Sequence, residues 1–249
     1  NSIWSMRYDS TLTAFMLKKQ PIGEADMLVT WYTQEEGKMR SSVAAARRTT
    51  SRLAYVLQPG SLAAIRLVGR GAPGGLLKLA GGIPIQSYIT EFSEYQAVLH
   101  AWFMEVILRA TPDAERNEEL FALARDFFTG LALLGRAESI PFFTATVLIH
   151  LLSVLGIAVH EEESVPNFFS VSGGGFFNHA EHTDRIAISE RFWSRYGALK
   201  NVGVSTVLIS EQPDGSDVHI LSILESFLEY HLERPIRSFP FLSGIIKVS

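Results

Sequence analysis

Met27-Leu-Val-Thr-Trp-Tyr-Thr-Gln-Glu-Glu-Gly-Lys-Met-Arg-Ser-Ser-Val-Ala-Ala45 reads as two strands joined by a turn. Val29, Thr30, Trp31 and Tyr32 are β-branched or aromatic, the types that suit a pleated, half-buried surface. Glu35-Glu36-Gly37 carries the turn. Beyond it Met39, Ser41, Val43 and Ala45 alternate with Lys38, Arg40, Ser42 and Ala44. Successive side chains on a strand point to opposite faces, so this period sends Met39 and Val43 one way and Lys38 and Arg40 the other. The result is a hairpin with an apolar inner face and a basic outer one.

The same short period extends to either side. Leu12 to Leu17 is an apolar run that ends at Lys18 and Lys19. Leu62 to Val68 puts Ile65 and Leu67 on one face and Arg66 on the other, and a Gly-rich loop, Gly69 to Gly75, leads to Leu76–Leu79. About five strands in about 75 residues predict a small closed barrel, and the OB-fold is the commonest five-stranded kind that binds nucleic acid.

Near Thr90 the period changes. Ser93-x-x-Gln96 has the form of a capping box, and Tyr95, Val98, Leu99, Trp102, Phe103 and Val106 follow at helical spacing until Thr111-Pro112. Leu120, Leu123, Ala124, Phe127, Phe128 and Leu131 predict a second helix. Ile140 to Gly156 predicts a third, apolar nearly all round and therefore central. Val165 to Asp184 reads as irregular and Gly-rich, Ser189 to Tyr196 as a short helix, and Ile220 to His231 as a last amphipathic helix stopped near Pro235. The expected fold is α+β. A five-stranded OB-fold barrel over residues 1–89 precedes a helical domain over 90–249, which carries an irregular insert at about 160–185.

Charge divides along the same line. The chain of 249 residues has a net charge of −4, but residues 1–85 hold 11 Lys and Arg against 5 Asp and Glu, and residues 86–249 hold 11 against 21. A basic front suits a polyanion, and an acidic back does not lie on DNA. Apolar residues at 47% and charged residues at 19% argue for a folded protein. The chain has no cysteine, which excludes disulfides and thiol chemistry and fits a reducing cytoplasm. No secretory signal is visible at the start, where Met6 is the expected natural first residue. Ile140 to Val159 is an uncharged run long enough to span a bilayer. It contains Pro141, Thr144, Thr146, His150 and Ser153 and lacks a basic flank, so a buried core helix is expected.

Lys18, Lys19, Lys38, Arg40, Arg47, Arg48 and Arg52 fall within one small domain. Cations that replace condensed counterions supply most nucleic-acid affinity, and Trp31 and Tyr32 could stack on bases. The same residues also fit a solvated surface over an aromatic core, and both readings stand at this point. Catalytic patterns are weak. The chain lacks G-x-S-x-G, a Walker loop, H-E-x-x-H and a dinucleotide fingerprint. His100 and His150 fall inside helices, and Glu161–Glu163 reads as a solvated acidic run. One metal-like spacing exists. His160 and Glu163, then His179 and His182, form two x₂ pairs of nitrogen and oxygen donors for zinc, a weak signal without thiolates.

Several ordered motifs resemble the RecO family of bacterial DNA-repair proteins. They are Phe15-Met-Leu-Lys-Lys-Gln-Pro-Ile-Gly-Glu-Ala-Asp-Met-Leu-Val-Thr30, Glu36-Gly-Lys-Met-Arg40, Ala46-Arg-Arg48, Ser51-Arg-Leu53, Leu57-Gln-Pro59 and Gly69-Arg-Gly71. Phe227-Leu-Glu-Tyr-His-Leu-Glu-Arg-Pro-Ile-Arg-Ser238 with Phe241-Leu242 resembles the family's ending. Ala45 stands where the family has a Gly. The resemblance brackets nearly the whole chain. It implies an OB-fold followed by a helical domain, binding of single- and double-stranded DNA, and annealing of complementary strands. It also implies help in loading a recombinase onto DNA coated with single-strand-binding protein, without catalysis, membrane or small-molecule substrate. The implied partners are RecR and the acidic tail of the single-strand-binding protein, in a bacterial cytoplasm near the nucleoid. The DNA-binding residues expected are Lys18, Lys19, Trp31, Lys38, Arg40, Arg47, Arg48, Arg52 and Arg70.

Many relatives carry C-x₂-C pairs around a segment that Phe168-Phe-Ser170 and Gly173-Gly-Gly175 resemble here. Either a metal site persists through His160, Glu163, His179 and His182, or packing has replaced it. Family members also bring a basic residue into the start of the central helix. This chain has Phe142 and Phe143 there, a departure that bears on how an acidic tail docks. An adapter that binds repair proteins with little DNA contact is the alternative function. A hidden hydrolase lacks any visible nucleophile–base–orienter set.

Overall fold

The computed structural model describes residues 7–22, 24–44, 53–70, 75–162, 164–178 and 182–248. They fall into two compact units, one of residues 1–92 and 103–121, the other of residues 93–102 and 122–249.

In the first unit five strands close a barrel. They are β1 (Arg7–Ile22), β2 (Asp26–Thr33), β3 (Gly37–Val43), β4 (Ser61–Arg70) and β5 (Leu76–Ser87), hydrogen-bonded in the order β1-β2-β3-β5-β4. All pairings are antiparallel except β3 with β5. β1 is longer than its apolar run predicted because it serves two neighbours. Arg7–Phe15 pairs with β4 and Ala14–Ile22 with β2. A register shift between Met16 and Lys18 bends the strand at the handover. Leu12, Ala14, Met16, Val29, Trp31, Met39, Val43, Ile65, Leu67 and Leu77 fill the interior. The alternation in β3 holds, with Met39 and Val43 inside and Arg40 outside. Gly37 ends the β2–β3 turn at φ +68°, in the left-handed region that favours glycine. Phe15 and Tyr32 point away from the interior and pack on Phe121 with ring centroids 5.4 and 6.4 Å apart.

Among the described residues seven helices follow the barrel: α1 (Glu94–Ala110), α2 (Glu118–Leu133), α3 (Ile140–Val154), α4 (Glu190–Asn201), α5 (Val207–Ser210), α6 (Asp217–Leu232) and α7 (Phe239–Val248). The capping box is made reciprocally. Gln96 N donates to Ser93 Oγ at 3.3 Å, and Ser93 N donates to Gln96 Oε1 at 3.0 Å. α3 is the central helix, with every residue from Ile140 to Ile149 buried. With the turn before it, α3 is long and apolar enough to cross a membrane, yet 67% of that window is buried inside the protein. Its hydroxyls are satisfied locally. Thr144 donates to Ile140 O at 2.7 Å and Thr146 to Phe142 O at 2.8 Å.

The segment expected to be irregular is a three-stranded sheet. β6 (Phe168–Ser170) lies between β7 (Gly175–Phe177) and β8 (Arg185–Ala187). Strands of three residues carry too little alternation to be read from sequence. The acidic run beside it is also not merely solvated. Glu161 accepts from Lys200 Nζ at 2.7 Å and Tyr196 Oη at 3.2 Å, and Glu162 accepts from Asn178 N at 3.1 Å. Glu163 lies outside the described residues.

Candidate nucleic-acid interface

Register assembles the site. Lys18 is paired with Thr30 and Thr30 with Arg40, so the two cations flank Thr30 on three adjacent strands. Neighbouring strands are about 4.8 Å apart, which puts the two backbones about 10 Å apart. The next row round the barrel is Gln20, Leu28, Ser42 and Lys78. Lys18, Gln20, Leu28, Thr30, Lys38 and Arg40 line a cleft of about 270 Å³ with Leu108 and Asp113. A third basic place lies at the strand ends. Arg7 is paired with Arg70, both exposed. Like charges directly opposite each other repel, which suits a bound anion.

The cations in the cleft differ in availability. Lys38 Nζ donates to Leu108 O at 3.0 Å and to Thr111 O, and lies 3.4 Å from Asp113 Oδ1. It thereby satisfies carbonyls at the C-terminal end of α1, where no helical N–H remains to do so. Its side chain is 11% exposed, so the outward face expected for it is covered by this helix end. Arg40 is 48% exposed and its Nη2 lies 3.0 Å from Asp113 Oδ2. Asp113 is set in place by its backbone. Ala114 N donates to Lys38 O at 2.9 Å, and Ala114 takes φ +56°, a left-handed conformation that costs a residue with a Cβ about 1–2 kcal/mol. A Cβ on Gly37 would lie 1.9 Å from Glu115 O, so only glycine lets this loop approach β3.

Of the residues expected from sequence, Lys18, Lys38 and Arg40 are brought together. Lys19 is not. It is paired with Val29 on the core-facing side, and its Nζ donates to Leu57 O at 3.2 Å. Arg70 stands at the strand ends with Arg7. Trp31 requires a correction. It is wholly buried, and its Nε1 donates to Ser41 Oγ at 2.9 Å, so no ring face is presented for stacking. Tyr32 is buried too. Arg47, Arg48 and Arg52 lie outside the described residues. Sequence reading missed Arg7 and Lys78. The alternation of Leu77 and Leu79 marks Lys78 as outward, but only the parallel β3–β5 pairing brings it beside Ser42. Arg66 points outward as expected, and Asp9 engages it at 2.7 and 2.8 Å.

Of the four zinc ligands expected, His160 and His182 lie among the described residues. The rings of His160 and His182 pack on Phe177, with centroids 5.4 and 4.7 Å away. Among the described residues, no three side chains able to hold a metal stand together, and Glu163 and His179 lie outside them. The turn between β6 and β7 is fastened by Asp184. Its carboxylate accepts from Ser170 Oγ at 2.6 Å, Ser172 N at 2.8 Å and Ser172 Oγ at 2.7 Å. These bonds, that from Ser170 foremost, hold the Asp184 carboxyl well below the usual carboxylate range. A carboxyl depressed on folding adds stability above its unfolded pKa of about 3.9 and loses it as pH falls from there towards the folded value. Asp184→Asn is therefore expected to lower the thermal midpoint at neutral pH. Its gap to the parent should narrow below about pH 4. Melts across that range that stay equally far apart would count against the clasp.

The strand order β1-β2-β3-β5-β4, closed by a parallel β3–β5 pair, is that of an OB-fold, and the molecule is an OB-fold protein with a helical domain. The family model described as Recombination protein O N terminal matches residues 6–88, and Recombination protein O C terminal matches residues 96–240. The chain is 26% identical over 239 residues to the DNA repair protein RecO of Pelotomaculum thermopropionicum, covering 92% of this chain and 91% of that one. It is 26% identical over 251 residues to the DNA repair protein RecO of Myxococcus xanthus, covering 96% and 98%. The chain belongs to the RecO family, and so to the proteins of DNA repair and recombination.

Proposed function

We propose that this chain is a recombination mediator that binds single- and double-stranded DNA through the outer face of its barrel. It anneals complementary strands and helps load a recombinase onto single-stranded DNA coated with single-strand-binding protein. RecR and the acidic tail of the coating protein are its partners, and it works in the bacterial cytoplasm. The observation that carries this reading is the cross-strand set of Lys18, Arg40 and Lys78 on one face of an OB barrel. Cations on phosphates supply affinity while leaving base edges free, which pairing of two strands requires. No covalent bond is made or broken, and no cofactor is needed. Arg47, Arg48 and Arg52 join the reading from sequence alone.

DNA affinity is expected to fall linearly in a plot of log K against log salt. Changing Lys18, Arg40 and Lys78 together to Glu should weaken binding on the order of 100-fold at low salt and flatten that slope by about 2. Filter binding across a salt series measures both, and binding that ignores the triple change would remove this face from the reading. The adapter alternative is favoured by one observation, the neutralisation of Lys38 and Arg40 by Asp113. Capture of a recombination partner with no DNA shift at low salt would select it.

A further inference from the structure

We propose that the cleft on the barrel is a phosphate subsite already occupied by the protein's own Asp113, which a DNA phosphodiester displaces. This rests on the DNA-binding reading above and adds a built-in competitor to it. Asp113 lies 3.0 Å from the Arg40 guanidinium and 3.4 Å from Lys38 Nζ, two of the three cations that line the cleft. A carboxylate and a phosphate present the same kind of charged oxygen to an arginine fork. Asp113 therefore sits where a phosphate oxygen would sit.

Three features point to a competitor rather than a plain surface ion pair. The first is backbone placement. Lys38 O holds Ala114 N, Gly37 admits the loop, and Ala114 is left-handed at φ +56°. Strained backbone persists where the surroundings over-determine it, and it gathers at switching and binding sites. Second, the two cations are held differently. Lys38 is anchored by two carbonyls at the end of α1 and keeps its place without Asp113. Arg40 is half exposed and so is open to an incoming strand. Third, Asp113 is itself 39% exposed, so its side chain can rotate into solvent while its backbone stays pinned. Lys18, with no ion-pair partner among the described residues, completes the subsite on the far side of Thr30.

The consequence is a site that holds a strand loosely. A phosphate entering the cleft exchanges one anion for another, so Arg40 releases little counterion in the parent protein. With Asp113 neutral, its charge no longer offsets that of Arg40, and binding gains one phosphate contact. A protein that brings two strands together must also let them go, and a resident carboxylate favours release.

The test is titration of a fluorescent single-stranded oligodeoxythymidylate over a salt series with the full chain. Asp113→Asn is expected to bind roughly three- to tenfold more tightly at low salt, with a slope steeper by about 0.7–0.9, the value of one contact. Asp113→Glu, which keeps the charge, should retain the parent slope. Arg40→Gln should weaken binding more in the Asp113→Asn background than in the parent. Glu24→Gln removes an exposed charge elsewhere on the barrel and should do little. Binding by Asp113→Asn that equals the parent's, is weaker, or is matched by Glu24→Gln would overturn the proposal. If Asp113→Asn fails to fold, the Arg40→Gln arm decides. A large loss on Arg40→Gln in the parent would mean that Arg40 is already available, and would overturn the proposal. A parent that binds while these variants leave the slope unmoved defeats this inference alone. A parent and an Asp113→Asn protein that both fail to bind defeat the DNA reading as well.

Discussion

Trp31→Ala is expected to destabilise the barrel by about 3–5 kcal/mol, the range for removing a large aromatic side chain from a core. Trp31 is wholly buried among Met16, Val29, Met39 and Ile65. Its loss opens a cavity that close-packed strands cannot collapse to fill. It also leaves the buried Ser41 hydroxyl without the indole N–H that now donates to it. An unpaired buried polar group costs a further ~1–3 kcal/mol. Trp31→Phe keeps most of the apolar volume and should cost less than half as much. Urea unfolding followed by circular dichroism measures the loss. DNA binding by the protein that remains folded should be unchanged. A base-stacking tryptophan would behave in the opposite way, with DNA affinity lost and the unfolding midpoint untouched. That outcome would reinstate the sequence reading of Trp31.

The second large effect is expected at Arg195. Its Nε donates to Asp217 Oδ1 at 2.7 Å, its Nη1 lies 2.6 Å from Glu211 Oε2, and its Nη2 donates to Gln212 O at 2.8 Å. Asp217 is 2% exposed at the start of α6, and the Arg195 guanidinium stacks 5.6 Å from the Phe142 ring. Removing one member of a buried pair strands the other charge, at about 3–5 kcal/mol. Arg195→Met keeps the stem but not the charge and should lose that amount. Arg195→Lys should recover only part, because an ammonium cannot serve three acceptors in a plane. Arg195→Met with Asp217→Asn together should lose less than Arg195→Met alone, since the stranded anion is gone. Equal unfolding midpoints for parent and Arg195→Met would show that water already serves Asp217. α3 has Phe142 and Phe143 in its first turn and no basic residue there. Here Arg195 on α4 brings positive charge to Phe142, but Asp217 and Glu211 already engage it.

Much of this architecture was legible because it follows from local rules. Period two in β3, the capping box at Ser93 and Gln96, and the helical spacing around α2 and α6 depend on neighbours a few residues apart. Departures occurred where the deciding contact was distant in sequence. β1 outran its apolar run because two different strands needed it. α7 was not anticipated, since the last helix read from sequence stops near Pro235, and α7 has Pro240 in its first turn. Proline is tolerated in the first turn of a helix, and Leu242 then buries completely. The β6–β8 sheet rests on packing of Phe169 and Phe176 against Phe227 and Phe192, with the Asp184 bonds, none of which leaves a periodic trace.

By itself, the order of residues determined the barrel followed by helices, the family, and the division into a basic front and an acidic back. Those properties reside in composition, short periods and ordered motifs. Only the tertiary structure decided which cations share a face. Lys18 and Lys19 are neighbours on a strand and point to opposite faces in any case, but the bulge between Met16 and Lys18 decides that Lys18 is the one at the cleft. Lys38 and Arg40 have the same period and the same face, yet one is buried against the end of a helix and the other is half exposed. Asp113, far from both in sequence, reaches them through a left-handed alanine. Charge is written residue by residue, but its availability depends on what folds over it.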